Sequence, residues 1–279
     1  MKQERTPIAS TRIAFIGGGN MASAIIGGLI RQGFAASDID VVEPWAEARE
    51  RLQADLGIAA QAEAGAFLAQ ADMIVWAVKP QTFKDAAAAV AAHNTGALHL
   101  SVAAGIPSSS IAQWLGSERI IRTMPNTPAL IGKGITALYA RPAVSQADKD
   151  WANEVIATTG ATVWLTAEAQ LDAVTAISGS GPAYMFYFME AMTEAGAQMG
   201  LAREQAYQLA VATFIGAGEL ARASTEPPES LRAKVTSKGG TTYAAITSMD
   251  ESGVKALFAK ALFAAQKRAG ELGQEFGAA

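Results

Sequence analysis

Residues 12–22 read RIAFIGGGNMA, and the fold of the chain follows from how this stretch is read. Ile13, Phe15 and Ile16 form a short apolar run of the kind that becomes a buried strand. Gly17, Gly19 and Ala22 then match G-x-G-x-x-G/A, the turn that joins a first strand to a first helix in dinucleotide-binding folds. Gly17 permits the tight turn. Gly19 leaves the backbone bare where a pyrophosphate must approach, since a Cβ there would collide with it. Ala22 lets the helix lie close on the strand. A helix is predicted over 20–32, with Gly18, Asn20 and Met21 completing the turn. Its N-terminal N–H groups and positive dipole end point at the phosphates.

Working outward, short β-rich runs alternate with helical patterns. The runs are Ile13–Ile16, Ile39–Val42, Met73–Val78, Leu98–Val102 and Ile120–Met124, separated by helices over Trp45–Leu56, Thr82–Ala92 and Ser108–Leu115. That alternation predicts an α/β domain, a doubly wound, mostly parallel sheet with right-handed crossovers. A run at Ile135–Tyr139, a helix over Gln146–Thr158 and a strand at Thr162–Leu165 extend it. From Glu168 onward every pattern is helical. The expected division is therefore a dinucleotide-binding domain over residues 1–167 and an all-helical domain over 168–279, with residues 1–11 as a lead-in. The stretch Pro182–Met199 carries Tyr184, Met185, Phe186, Tyr187, Phe188, Met189 and Met192. A helix apolar nearly all round must be covered on every side. A second subunit does this economically, and ordinary core is the alternative.

Composition narrows the function. Half of the 279 residues are hydrophobic and 17% are charged, ample for a core. The net charge of -4 comes with no basic stripe, which argues against nucleic acid. There is no cysteine and there are only two histidines, His93 and His99, so thiolate and His-rich metal sites are excluded and no metal is expected. Both histidines read as structural. The N-terminal MKQERTPIAS lacks the apolar core of a signal peptide, and no stretch is long enough to span a bilayer. The expectation is a soluble, cytoplasmic protein without a membrane partner.

In an open parallel sheet, ligands bind outside the carboxyl ends of the strands. Glu43 ends the second strand, where a carboxylate accepts ribose hydroxyls and repels a 2′-phosphate. With no arginine immediately after it, although Arg49 lies one turn on, this favours NADH over NADPH; a solvated strand end is the alternative. Ala77-Val78 closes the third run and Lys79-Pro80 follows it, placing a lysine within reach of a ribose hydroxyl or a carboxylate. Ala103-Ala104-Gly105 permits close approach to a flat ring. Asn126 sits in a loop stiffened by Pro125 and Pro128 and is placed to wall a nicotinamide. In the helical half, two glycine-rich loops break the pattern, Ser178–Pro182 and Thr236–Thr242. Glycines followed by hydroxyl residues at a helix start expose several backbone N–H groups, an anion nest suited to a carboxylate; a plain N-cap is the alternative.

GGGNMA at 17–22, AVKP at 77–80, RTMPNTPAL at 122–130, SGSGPAY at 178–184 and VTSKGGTT at 235–242, in this order, resemble pyrroline-5-carboxylate reductase over roughly residues 12–270. The resemblance implies reduction of the cyclic imine 1-pyrroline-5-carboxylate to L-proline, with NADPH or NADH as hydride donor. It implies an N-terminal Rossmann domain and a helical domain that interlocks in dimers, often assembled further into decamers. It places the substrate carboxylate on the N–H groups of the loop holding Ser237, Gly239, Gly240, Thr241 and Thr242. The Thr242 hydroxyl lies near the imine nitrogen, and Lys79 and Ala103–Gly105 lie along the cofactor. Thr242 and Lys79 are the candidate catalytic residues. The chain departs from the family at Lys238, where proline is usual. Two rivals are a β-hydroxyacid dehydrogenase, whose chemistry needs a lysine that residues 168–200 lack, and a nicotinamide-nucleotide sensor without turnover.

Overall fold

A computed structural model describes residues 11–277. All of the expected lead-in except Thr11 lies outside the described residues. The chain divides into two compact units, one of residues 11–179 with 266–277 and one of residues 180–265.

The first unit is built on a seven-stranded sheet in the order β2-β1-β3-β4-β5-β6-β7. The strands are β1 (Ile13–Ile16), β2 (Ile39–Val42), β3 (Met73–Trp76), β4 (Leu98–Ser101), β5 (Ile120–Met124), β6 (Gly134–Ala140) and β7 (Gly160–Trp164). The helices are α1 (Asn20–Arg31), α2 (Ala46–Leu56), α3 (Phe83–Ala91), α4 (Ser108–Leu115) and α5 (Gln146–Ala157). Strands β1 to β5 are mutually parallel. β6 runs antiparallel to β5. Its connection, residues 125–133, holds only a 3-10 turn at Thr127–Ile131, too short for the crossover that parallel pairing needs. α5 then supplies a crossover, and β7 is parallel to β6.

Period-two alternation sorts the core onto the two sheet faces. Ile13, Phe15, Val41, Met73, Val75, Leu98 and Leu100 pack with Ile25, Ile26 and Leu29 of α1, Leu52 of α2 and Val155 and Ile156 of α5. Ala14, Ile16, Ile74, Trp76 and Ile120 pack with Phe83, Ala87 and Val90 of α3 and Ile111 and Leu115 of α4. The doubly wound architecture is the one expected from the alternation.

Three local differences have simple causes. The strand expected to run to Val78 stops at Trp76: Ala77 N–H makes the last ladder bond, to Ile16 O, and beyond it the neighbouring chain turns away at Gly17, at φ +97°. The last strand begins at Gly160 rather than Thr162; at φ 141°, only glycine sits easily beside Gly134. The expected open loop at Ser178–Pro182 is helical. α6 (Gln170–Val174) continues as a π-turn over Thr175–Gly179, and the next helix, α7, starts at Gly181. Gly179 packs against the Met124 side chain, whose terminal methyl would have to shift to admit a Cβ.

The second unit is helical: α7 (Gly181–Gln198), α8 (Arg203–Ala223), α9 (Pro228–Lys234), α10 (Thr241–Glu251) and the first half of α11 (Val254–Gly277), whose remainder belongs to the first unit. Gly196 of α7 lies against Ala206 of α8, where a Cβ would come within 2.7 Å. Phe258 of α11 meets Tyr184 and Phe188 edge-on at 5.7 and 5.6 Å between ring centroids. Phe186 and Tyr187 remain 58% and 69% exposed. Large side chains with that much apolar surface in water mark an interaction face.

Candidate active site

The predicted cofactor residues of the first unit gather at one edge of the sheet, outside the carboxyl ends of β1 to β5. Gly17 leaves β1 at φ +97° and donates its N–H to Val42 O at 2.8 Å. A Cβ on it would lie 2.6 Å from the Ala77 carbonyl oxygen. Gly18 is wedged against Leu52, whose Cδ1 would lie 2.6 Å from a Cβ. Gly19 differs: its backbone is extended and a Cβ built there meets nothing within 4 Å. The open side of the turn is the side a ligand must approach. Gly19 is also the N-cap of α1, with no side-chain cap bond and no acidic residue in the first turn. The first N–H groups of α1 therefore lack intrahelical partners, and an oxyanion suits them. Asn20 is exposed and Met21 half-buried beside it. This bare turn fits a dinucleotide pyrophosphate.

Glu43 is only 7% exposed. Its Oε2 accepts the Gly18 N–H at 2.8 Å and its Oε1 accepts the Trp45 N–H at 2.9 Å. The carboxylate thus ties the turn after β1 to the turn after β2, a role its position in the sequence does not disclose. Arg49 Nη1 donates to the carbonyl oxygens of Glu43 and Pro44 at 2.9 and 2.6 Å, which brings a guanidinium to the same turn. Ala77 and Val78 are half-buried, and the exposed Lys79 caps a 3-10 turn at Pro80–Thr82.

Beyond β4, Ala103 is buried and donates its N–H to Ser101 Oγ at 3.3 Å, while Ala104 is exposed. Gly105 turns at φ +74°. Asn126 accepts the Ile135 N–H on its Oδ1 at 3.0 Å. That bond pins the Pro125–Thr127 segment to β6 and so fixes the loop expected to wall the nicotinamide.

In the second unit, Gly239 turns at φ +75° and the Gly240 N–H donates to Ser237 O at 3.0 Å. Gly240 is the extended N-cap of α10, again without a side-chain cap. The N–H groups of Thr241 and Thr242 start the helix without intrahelical partners. Ser237, Lys238, Gly239 and Thr241 are exposed and Thr242 is half-buried. No group of three or more His, Asp or Glu that could hold a metal ion occurs among the described residues.

A cluster at the β4–β5 edge was not anticipated from the sequence. Glu168 Oε1 accepts the Ser108 N–H and Arg122 Nη1, each at 2.6 Å. Its Oε2 accepts the Ser108 hydroxyl at 2.6 Å. Burial alone raises the Glu168 carboxyl, yet the Ser108 hydroxyl and N–H and the Arg122 guanidinium together hold it below the usual carboxylate range. Asp172, one turn along, is raised by burial and by Glu168, against the pull of Arg122. RTMPN at 122–126 gave a hint by placing an arginine within a largely buried strand, two residues before its end; nothing local pairs it with Glu168.

A family model described as pyrroline-5-carboxylate reductase dimerisation matches residues 168–272. A second, described as NADP oxidoreductase coenzyme F420-dependent, matches residues 12–105. The chain is 45% identical to a pyrroline-5-carboxylate reductase of Pseudomonas aeruginosa over 97% of this chain and 100% of that one. The chain belongs to the pyrroline-5-carboxylate reductase family. The Haemophilus influenzae reductase is 38% identical over 93% of this chain and 97% of its own. Among solved structures, the Coxiella burnetii reductase superposes with a TM-score of 0.87 at 36% identity, covering 94% of this chain and 98% of that one. The Plasmodium falciparum enzyme, solved with NADP bound, gives 0.84 at 27% identity, covering 95% and 98%. The chain is a homo-oligomer through its helical region, which gives the exposed Phe186 and Tyr187 an explanation. No helix among its described residues is long and apolar enough to cross a membrane.

Proposed function

We propose that the chain reduces 1-pyrroline-5-carboxylate to L-proline with NADPH, the closing step of proline synthesis, as a cytoplasmic enzyme. The observation that carries this reading is a pair of glycine-opened, uncapped helix N-termini in one chain of this family, at Gly19 and at Gly240. The first suits a pyrophosphate and the second a carboxylate. In this proposal residues 1–167 hold the cofactor and residues 168–279 provide dimerisation and substrate binding. The span of the dimerisation match, 168–272, supports that division. Dimers then assemble further, to a decamer.

When bound, the reduced nicotinamide supplies a hydride to the imine carbon. The chain's own residues do the rest. Gly17, Gly18, Gly19, Asn20 and Met21 seat the pyrophosphate. Glu43 braces that turn rather than reading a ribose alone, and the Arg49 guanidinium offsets its charge, so a 2′-phosphate is tolerated. Ala77, Val78, Lys79, Pro80, Ala103, Ala104, Gly105 and Asn126 line the cofactor. The N–H groups around Ser237, Gly239, Gly240, Thr241 and Thr242 grip the substrate carboxylate, with Lys238 adding positive charge nearby. The Thr242 hydroxyl orients the ring nitrogen. A cyclic imine can arrive protonated, so a strong acid is not required, and the loop accordingly holds neither carboxyl nor imidazole. Catalysis is then mainly the holding of two reactants face to face.

The test compares 1-pyrroline-5-carboxylate with 1-pyrroline, the same ring without its acid group. The proposal expects kcat/KM to fall by about 10- to 100-fold on losing one or two charge-assisted hydrogen bonds. Equal values for the two rings would remove the carboxylate nest from the account.

A further inference from the structure

The cluster around Glu168 joins three segments that the reaction, as proposed above, does not use directly. Ser108 opens α4, whose N-cap is Pro107 and has no side-chain cap. The Glu168 carboxylate supplies that cap from 60 residues away, taking both the Ser108 N–H and its hydroxyl. The same oxygen that takes the N–H also takes Arg122, 46 residues distant, in the middle of β5. Ser108 is 1% exposed, and its hydroxyl also accepts Arg141 Nη1 at 3.1 Å. Arg141 is itself paired with Glu118. Each polar group therefore has a partner, and the arrangement is well defined.

Its position gives it a use. Ser108 closes the segment that begins at Ala103; the other end of that segment is held by Ser101, whose carbonyl accepts the Thr123 hydroxyl at 3.0 Å. Arg122 stands two residues before Met124-Pro125-Asn126. One carboxylate thus holds the far end of the Ala103–Gly105 loop and the near end of the Asn126 loop. These are the two loops assigned to the nicotinamide side of the cofactor. The adenine side, at Gly18 and Glu43, is braced by a separate set of bonds.

We propose that Glu168 is a positioning residue for hydride transfer, which ties α4 to β5 so that the loops after β4 and β5 keep one spacing around the nicotinamide. This rests on the assignment of those loops in the proposed function. Removing the carboxylate leaves the half-buried Arg122 without its hydrogen-bonded counter-charge, only the Asp172 carboxylate still acting on it, leaves α4 without its cap, and frees each loop separately. The chemistry suffers because a misplacement of about 1 Å can cost on the order of 100-fold in rate. The glutamine variant keeps the geometry: its oxygen takes Arg122 and the Ser108 N–H, and its amide donates to the Ser108 hydroxyl.

The experiment compares wild type, Glu168→Ala, Glu168→Gln and Ser108→Ala by calorimetric binding of two probes, whole NADPH and its adenine half, 2′-phospho-ADP-ribose. Turnover and thermal unfolding accompany it. Glu168→Ala should weaken NADPH about 10-fold or more, leave the adenine-half probe unchanged, and lower kcat by about 10- to 100-fold. Glu168→Gln should recover most of both losses, and Ser108→Ala should fall between. Unchanged NADPH binding and kcat in Glu168→Ala would overturn the proposal, as would equal losses for the two probes. Should Glu168→Ala not fold, Ser108→Ala and Glu168→Gln carry the same comparison. The binding arms need no imine substrate, so a failure of the activity assignment would show in wild-type turnover and leave them readable.

Discussion

Substituting alanine at Gly19 should make the protein a worse cofactor binder while leaving the cofactor-free fold nearly as stable. Gly19 sits at φ -73° and ψ -172°, a backbone that alanine adopts without strain, and its added Cβ meets nothing within 4 Å. Restricting the unfolded chain favours alanine by about 0.4–1 kcal/mol, but Gly19 is the N-cap of α1, where glycine is preferred to alanine by a similar amount. The two nearly cancel, so the melting temperature of the cofactor-free protein should move by no more than about 1–4 °C. The same methyl group stands in the open space over the turn. A pyrophosphate pushed off even one backbone N–H loses a charge-assisted bond of about 1.5–3 kcal/mol, which is about a 10- to 100-fold rise in Kd for NADPH. Calorimetric titration reads the second quantity and differential scanning reads the first. Gly17→Ala is the contrasting control: at φ +97° and 2.6 Å from the Ala77 carbonyl oxygen, it should lower the melting temperature by the equivalent of about 1–3 kcal/mol or more. A Gly19→Ala protein that binds NADPH as tightly as wild type would refute the claim that the pyrophosphate crosses this turn.

Thr242→Ala should reduce kcat/KM by about 10- to 100-fold through lost orientation of the ring with NADPH affinity unchanged; unaltered turnover removes Thr242 from the mechanism. Burial, and secondarily Arg119, push the His99 imidazole down to about 4 from 6.5, while its Nδ1 accepts the Trp76 indole N–H at 3.2 Å. The unfolded chain takes up that proton first, so this stability is complete above about pH 6.5 and is lost as pH falls toward about 4, about 3 kcal/mol in all. In urea unfolding at pH 7 and pH 4, His99→Gln should show a drop smaller than wild type by that amount; an identical drop would mean that His99 is not buried neutral. Phe186→Asp places a charge on the exposed apolar face of α7 and should shift the oligomer toward monomer in sedimentation, an assembly that stays intact placing the interface elsewhere.

What the sequence disclosed was what neighbouring residues decide. The glycine turn could be read because Gly17 and Gly19 answer separate local demands, a positive φ and an unobstructed side. The alternation of Ile13 and Phe15 with Ala14 and Ile16 gave both sheet faces. β6 was legible as a strand, and its antiparallel direction follows from the short connection before it. Side-chain pairings between distant segments were not legible. Glu43 reads as a ribose acceptor until Gly18 is seen beside it, and Glu168 reads as a domain boundary because its partners lie 46 and 60 residues away. The Ser178–Pro182 glycines look like an open loop because the Met124 side chain that Gly179 accommodates belongs to another element.

The most direct test of the central claim is product analysis after incubating the purified protein with NADPH and racemic 1-pyrroline-5-carboxylate. The account predicts loss of reduced-nicotinamide absorbance matched one-for-one by L-proline, with no loss when the imine is left out. Cofactor binding without any proline formed would contradict it.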